Sequence, residues 1–119
     1  TLVPMDKPFY DYHAQTGMAA MAYTSQAKGY LSKRYQGQSI ANDLQALYGG
    51  PHNEAVLEQL LPWCRAQGCD PAQATLWWFM AQPFTAVPVV SPGNLDQLQT
   101  LMDAVNADHP PLPEGLPAW

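Results

Sequence analysis

The side chains best suited to chemistry in this sequence follow an apolar run, residues 18–23. Thr24, Gln26 and Lys28 place a hydroxyl, an amide and an ammonium group just after that run. Such donors at the C-terminal end of a strand suit an anion, because each presents an N–H or O–H group to it. A solvated turn is the alternative interpretation of the same residues.

A second candidate anion site lies at Ser91, Pro92 and Gly93, just before Asn94. Asn94 is a suitable N-cap for the last predicted helix. The dipole and the free N–H groups at a helix start favour phosphate. We therefore consider both segments together as possible anion-binding residues.

The histidines and cysteines do not form a recognisable catalytic or metal site. Asp11 and His13 are two residues apart on a predicted helix, so they do not face each other. Cys64 and Cys69 could close only a very small disulfide loop, and structural zinc needs four ligands. We predict reduced thiols in a cytoplasmic protein, no catalytic residue, and no metal.

The composition limits the class of protein. A net charge of −5 argues against a nucleic-acid partner, which normally meets a basic face. No apolar run approaches the roughly 18 residues of a membrane span, and no signal peptide opens the sequence, so we expect no membrane partner. Only 13% of the residues are charged, against roughly 25% in an average domain. We therefore expect part of the surface to be covered by a partner or by the rest of a larger fold.

Two short apolar runs, residues 18–23 and 85–90, predict strands that are buried on both faces, as in a parallel sheet. The segment between Thr24 and Gln38 is polar and punctuated by glycine. Stop signals and apolar spacing predict helices over residues 8–16, 40–48, 53–67, 71–81 and 94–106.

Several residues are expected to shape these helices. Ser39 and Asn53 are candidate N-caps, and Asp70 and Gln73 have the spacing of a capping box. Pro62 should kink its helix or remove one backbone hydrogen bond. The last helix is expected to bury the apolar residues Leu95, Leu98, Leu101, Met102 and Val105.

The order of these elements indicates an α/β protein with βα units and a parallel sheet. Two parallel strands alone would leave both sheet edges exposed. Since the chain also starts at Thr1 rather than Met, we expect a segment of a larger α/β barrel or doubly wound sheet. Residues 1–107 would form that part, and residues 108–119 a proline-rich tail.

Three blocks resemble the aldo/keto reductase family. Residues 22–35 are similar to the family segment A-Y-S-P-L-A-x-G-x-L-T-G-K-Y, which follows the seventh barrel strand. Residues 65–78 are similar to A-x-x-x-G-x-T-P-A-Q-L-A-L-x-W, and residues 88–98 to P-I-I-G-A-R-N-P-E-Q-L after the eighth strand. The three blocks occur in the family's order, which makes the combination specific.

The resemblance implies the C-terminal segment of a (β/α)₈ TIM barrel, about strands seven and eight with their helices, which would be helix-rich when seen alone. The family reduces aldehydes and ketones with NADPH, so the cofactor in the complete barrel would be NADP or NAD. The family's catalytic Asp, Tyr, Lys and His belong to earlier strands. The expected partners are the remainder of the barrel or a second copy of the chain.

The resemblance also assigns cofactor-binding roles. Tyr23 corresponds to the aromatic residue that stacks on the nicotinamide ring, and Thr24, Gln26 and Lys28 to the loop near the pyrophosphate. An ordinary rim tyrosine and a solvated turn are the alternatives. Lys33 and Arg34 could help to bind phosphate, but a charged surface pair is the preferred interpretation of these two residues.

Ser91, Gly93 and Gln97 correspond to the family's adenosine-phosphate site. Gly93 stands where the family commonly has Arg, Lys or Ser, and Thr100 and Leu101 where it has Glu and Asn. The choice between NADPH and NADH is therefore open. The resulting hypothesis is the cofactor-binding part of a reductase, and the alternative is a non-catalytic remnant domain that self-associates or binds a protein.

Overall fold

The computed structural model describes residues 5–114, which form six α-helices, one 3₁₀ turn and a two-stranded sheet. Their order is α1 (Lys7–Thr16), β1 (Ala20–Ala22), the 3₁₀ turn (Ala27–Gly29), α2 (Tyr30–Tyr35), α3 (Asn42–Tyr48), α4 (Pro51–Gln67), α5 (Pro71–Met80), β2 (Ala86–Pro88) and α6 (Leu95–Asn106).

The two strands are parallel, as the element order predicts, although each is shorter than its apolar run. Ala20 is in register with Ala86. Beyond the last paired residues, the Val89 N–H donates to the Ala22 carbonyl oxygen over 2.9 Å. Both strands therefore end at the same edge of the sheet.

The prediction that the strands are buried on both faces is wrong within residues 5–114. Ala20 is buried, but the Met21 side chain is 77% exposed and the Val87 side chain opposite it is 43% exposed. Successive side chains of a strand point to opposite faces, and the helices cover only one of them. The other face is apolar and uncovered by the described residues.

Helix α5 forms the centre of the core because nearly all of its residues are apolar. Ala74, Leu76 and Trp77 are buried there. The indole Nε1–H of Trp77 donates to the Ala104 carbonyl oxygen of α6 over 2.9 Å, which satisfies the one polar group of a buried side chain. The larger of the two core clusters consists of Leu60, Cys64, Cys69, Ala74, Leu76, Trp77, Leu101 and Ala104.

Helix α4 has the predicted apolar face, on which Leu57, Leu60 and Cys64 are buried. It continues through Pro62, so the proline removes one hydrogen bond without ending the helix. Asn53 is not its N-cap, because the helix already begins at Pro51. The Asn53 side chain instead donates to the Tyr48 carbonyl oxygen at the end of α3.

Three further expectations require correction. The polar segment 24–38 contains helix α2, in which Tyr30 is fully buried. Ser39 does not cap α3, which starts after Ala41 without a side-chain cap. Helix α6 has its predicted N-cap, Asn94. Of the five residues that it was expected to bury, only Leu101 is buried, and the other buried residue is Ala104.

The other apolar residues of α6 are exposed because α5 covers only the side of the helix that carries Leu101 and Ala104. Leu95, Leu98, Met102 and Val105 form this exposed set.

Both cysteines are buried free thiols next to the C-terminal end of α4. Burial raises the pKa of the Cys64 and Cys69 thiols above their ordinary value. Thiolate is the reactive form, so both side chains behave as small apolar core residues.

No helix in the described part of the chain combines the length and apolar character needed to cross a bilayer. Residues 108–114 contain neither helix nor strand, and Leu112 packs against the core. The remainder of the predicted tail and residues 1–4 lie outside the described residues.

Asp70 provides a test of the core's polar contacts. Its side chain accepts from the Ala72 N–H over 2.8 Å and from the Ser32 hydroxyl over 2.6 Å, and Gln73 completes the capping box. Asp70→Ala should lower the free energy of unfolding by about 1–2 kcal/mol, since it removes the cap and the bond to α2. Urea denaturation followed by circular dichroism measures this loss.

Asp43→Ala is the matched control, because Asp43 lies in the first turn of α3 and its side chain makes no hydrogen bond to the described residues. Its effect should stay within about 0.5 kcal/mol. Equal losses in the two variants would contradict the role given to Asp70.

Candidate functional site

An open groove of about 810 Å³ lies at the edge of the sheet where both strands end. Its volume falls within the range of roughly 300–1,000 Å³ that is typical of small-molecule sites. One wall of the groove is formed by the segment after β1. The opposite wall is formed by the segment after β2 and the start of α6. All seven residues with predicted cofactor roles line it: Tyr23, Thr24, Gln26, Lys28, Ser91, Gly93 and Gln97.

Besides the backbone bond from Val89 to Ala22, a side-chain hydrogen bond joins the strand ends at the groove. The Ser25 hydroxyl donates to the Val89 carbonyl oxygen over 2.8 Å. Tyr23 lies two residues before Ser25 and is 81% exposed, so its ring is accessible at the rim. The Thr24 hydroxyl donates to the Tyr23 carbonyl oxygen over 2.7 Å, which fixes the turn.

The backbone after β1 is strained. Thr24, Ala27 and Lys28 have φ angles of 55°, 46° and 52°, in the left-handed region that favours glycine. Gly29 follows with a φ angle of 76°, which glycine adopts freely because it has no Cβ atom. Such residues cost of order 1–3 kcal/mol each and concentrate at functional sites. The strained turn is therefore a candidate functional segment.

Gln26 and Lys28 have different surroundings in the groove. The Gln26 amide donates to the Ala72 carbonyl oxygen over 3.4 Å and so ties the turn to the start of α5. Lys28 is exposed, and its ammonium group forms no hydrogen bond or ion pair with any residue from 5 to 114. Lys28 is thus the more available of the two for an anion.

The opposite wall is the beginning of α6, where backbone groups are partly satisfied by side chains. The Gly93 N–H donates to the Gln97 amide oxygen over 2.7 Å. The Gln97 N–H in turn donates to the Asn94 side-chain oxygen over 2.9 Å. Gln97 therefore lines the groove with its side chain hydrogen-bonded to the backbone of Gly93.

A model of the aldo/keto reductase family matches residues 5–111. The chain belongs to the aldo/keto reductase family. Searches of curated proteins and of solved structures found no match. The family implies a TIM barrel, and this member shows a helix-rich segment with a two-stranded parallel sheet.

The structure separates two cations that the sequence of this reductase-family chain does not distinguish. A charged surface pair is the preferred interpretation of Lys33 and Arg34, but only Lys33 lines the groove, together with Ser32. Consecutive residues of a helix point about 100° apart, so recognising α2 would have separated the two side chains. Lys33, like Lys28, makes no ion pair within the described residues.

Arg34 instead anchors α2 to α4. Its guanidinium donates to both carboxylate oxygens of Glu54, with an Nη2–Oε2 distance of 2.8 Å, and to the buried Tyr30 hydroxyl over 2.8 Å. The hydrogen bonds from Arg34 hold the pKa of the Glu54 carboxyl below its ordinary value, and those with Glu54 raise the pKa of Arg34. This network fixes the helix that carries Lys33.

The histidines lie away from the groove in this family member. His13 is buried, and its Nδ1 is 2.7 Å from the Met18 carbonyl oxygen. His109 stacks on the Trp77 ring with a centroid distance of 5.8 Å. Among residues 5–114, no three His, Cys, Asp or Glu side chains cluster in a way that would hold a metal ion.

The Arg34–Glu54 pair predicts a pH dependence of stability. A carboxyl whose pKa is lower in the folded state stabilises the fold above its unfolded pKa, and that contribution is lost as the pH falls through the folded value. Glu54→Gln should therefore be less stable than the unmodified chain at neutral pH. The difference should shrink as the pH falls below about 4.5, the ordinary value for Glu.

Urea midpoints measured from about pH 7 to about pH 3 give this difference. Glu58→Gln is the control, because Glu58 is exposed on the same helix and forms no ion pair in the described chain. A pH-independent difference between the unmodified chain and Glu54→Gln would contradict the assigned role of the pair.

Proposed function

We propose that the groove is the cofactor site of an NAD(P)H-dependent aldo/keto reductase that reduces aldehydes or ketones. In this proposal the chain is the C-terminal part of the barrel, and β1 and β2 are its seventh and eighth strands. The observation that carries it is the convergence on one groove of two segments that are distant in sequence. Ser25 and Val89, whose hydrogen bond joins them, are 64 residues apart.

The groups that line the groove fit a dinucleotide. The accessible ring of Tyr23 offers a flat apolar surface for stacking by the nicotinamide. Lys28 and Lys33 offer two ammonium groups for the pyrophosphate. Ser91, Gly93 and Gln97 at the start of α6 would lie beside the adenosine end of the cofactor.

When bound, the nicotinamide cofactor supplies a hydride for the reduction of a carbonyl group. The residues of this chain would bind and orient it, and none of them is assigned a catalytic role. In the proposed barrel, the catalytic Asp, Tyr, Lys and His come from earlier strands. The chain alone is then expected to bind cofactor but not to turn over substrate.

The uncovered sheet face supports the barrel arrangement. Met21, Val87 and Val89 are exposed there, and Leu95 at the start of α6 is 80% exposed. Neighbouring exposed apolar residues such as Met21 and Val87 are typical of an interaction site. We infer that the remainder of the barrel covers it, and the second candidate function is self-association through the same face.

Cofactor binding by this chain tests the proposal directly. NADH or NADPH should quench the tryptophan and tyrosine fluorescence saturably. Tyr23→Ala should weaken binding by about three- to tenfold, because aromatic stacking contributes about 0.5–1.5 kcal/mol. Tyr12→Ala is the matched control, since Tyr12 is an exposed tyrosine on α1 that does not line the groove.

Absence of binding at millimolar concentrations of both cofactors would contradict the proposal for this chain. If light scattering then showed a dimer, the self-association function would become the better explanation. Equal losses of affinity in the two tyrosine variants would contradict the stacking role of Tyr23.

Substitutions of Lys28 distinguish the effect of its left-handed backbone on stability from the effect of its ammonium group on cofactor binding. Lys28→Gly should weaken cofactor binding by about tenfold or less, yet raise the free energy of unfolding by up to about 1 kcal/mol. Glycine relieves the left-handed backbone, at the cost of greater freedom in the unfolded chain. Lys28→Gln should lose similar affinity with a stability change within about 0.5 kcal/mol, because it keeps the strain.

Fluorescence titration and urea denaturation of both variants check these two effects. Unchanged affinity in both variants would exclude Lys28 from the site. A lower stability of Lys28→Gly would show that the strain is not relieved by glycine.

A further inference from the structure

The turn between β1 and α2 keeps a strained backbone that its own hydrogen bonds do not explain. Thr24, Ala27 and Lys28 have positive φ angles, and such residues persist only where the surrounding structure enforces them. The Ala27 N–H donates to the Thr24 carbonyl oxygen over 2.8 Å, and the Gly29 N–H donates to the Gln26 carbonyl oxygen over 2.8 Å. These bonds lie within the turn, so they do not fix its position relative to the rest of the groove.

Two side chains of the turn bind neighbouring elements and fix that position. The Ser25 hydroxyl donates to the Val89 carbonyl oxygen, just after β2, over 2.8 Å. The Gln26 amide donates to the Ala72 carbonyl oxygen, in the first turn of α5, over 3.4 Å, which is long for an N–H···O bond. The contact from Ser25 is therefore the stronger of the two, and it connects the two walls of the groove directly.

Ser25 does not line the groove itself, although its neighbours Thr24 and Gln26 do. Its half-buried hydroxyl can therefore affect a ligand only through the position of the turn. The family segment A-Y-S-P-L has Pro and Leu where this chain has Ser25 and Gln26. Neither proline nor leucine has a side-chain hydrogen-bond donor, so the contacts to Val89 and Ala72 are features of this chain that the family segment lacks.

We propose that Ser25 is a positioning residue: its hydrogen bond to Val89 holds the strained turn against the opposite wall and thereby sets the affinity of the groove for the nicotinamide cofactor. The inference rests on the proposed function, because it concerns the same site. With the bond formed, Tyr23 and Lys28 on either side of Ser25 are held where they contact the ligand. Without it, the turn relaxes, fewer molecules present a preformed groove, and the apparent affinity falls by the fraction lost.

Fluorescence titrations with NADH and NADPH test the role of the hydroxyl. Ser25→Ala should weaken the binding of both cofactors by about three- to tenfold, the usual effect of one hydrogen bond. Ser25→Thr keeps the hydroxyl and should bind within about twofold of the unmodified chain. Ser39→Ala is the matched control, because Ser39 is an exposed serine outside the groove whose side chain makes no hydrogen bond within residues 5–114.

Amide hydrogen exchange of the cofactor-free chain separates positioning of the turn from a general loss of stability. The N–H groups of Ala27 and Gly29 are the probes, because both are hydrogen-bonded inside the turn. In Ser25→Ala their exchange should accelerate by about three- to tenfold, whereas the amides of α4 should exchange as in the unmodified chain. Ser25→Thr and Ser39→Ala should leave both regions unchanged.

Unchanged affinity of Ser25→Ala would overturn the inference and leave the proposed function intact, since the unmodified chain would still bind. Equal losses of affinity in Ser25→Ala and Ser25→Thr would also overturn it, because the hydroxyl would then not be the group that matters. The same holds for equal acceleration of exchange in the turn and in α4, which would make Ser25 a support of the whole fold. Failure of both cofactors to bind the unmodified chain would instead overturn the proposed function, and this inference with it.

Discussion

The parallel pairing of β1 and β2 is the constraint on which the candidate site depends. The two strands are far apart in the sequence, and Ala20 pairs with Ala86. Parallel strands must end at the same edge, so the segments after Ala22 and Pro88 are brought side by side. An antiparallel pair would have placed those segments at opposite ends of the sheet. The Ser25–Val89 hydrogen bond then fixes their separation.

Two polar contacts place α2 against this edge. Asp70 caps α5 and accepts from Ser32, while Arg34 binds Glu54 of α4. Both ends of the short helix are thereby held, and Lys33 is directed to the groove. A six-residue helix has little intrinsic stability, so tertiary contacts of this kind must supply it.

In the proposed arrangement, in which this chain is one part of a barrel, the scarcity of charge and the uncovered sheet face have a common explanation. A sheet face that carries Met21 and Val87 needs apolar neighbours, which a barrel interior supplies. The same geometry puts the Tyr23 ring at the rim of that face. In the proposed arrangement, one surface of the chain completes the barrel, and its edge holds the cofactor.

The sequence by itself determined the parallel βα organisation, helices α1, α3, α4, α5 and α6, and the cap at Asp70. These features follow from local signals: glycine stops, proline at the first helical turn, and short side chains that bond to nearby N–H groups. The resemblance to the family also selected seven residues that line one groove.

Only the tertiary structure decided which apolar side chains are buried and which cations face the groove. Met21 and Leu95 are as apolar as core residues, yet they are exposed, because burial depends on a neighbour that lies elsewhere in space. Lys33 and Arg34 are adjacent and both cationic, yet Glu54 of α4 binds only one of them. Burial and ion pairing depend on which elements, distant in sequence, pack against each other. The type and spacing of neighbouring residues do not specify that packing.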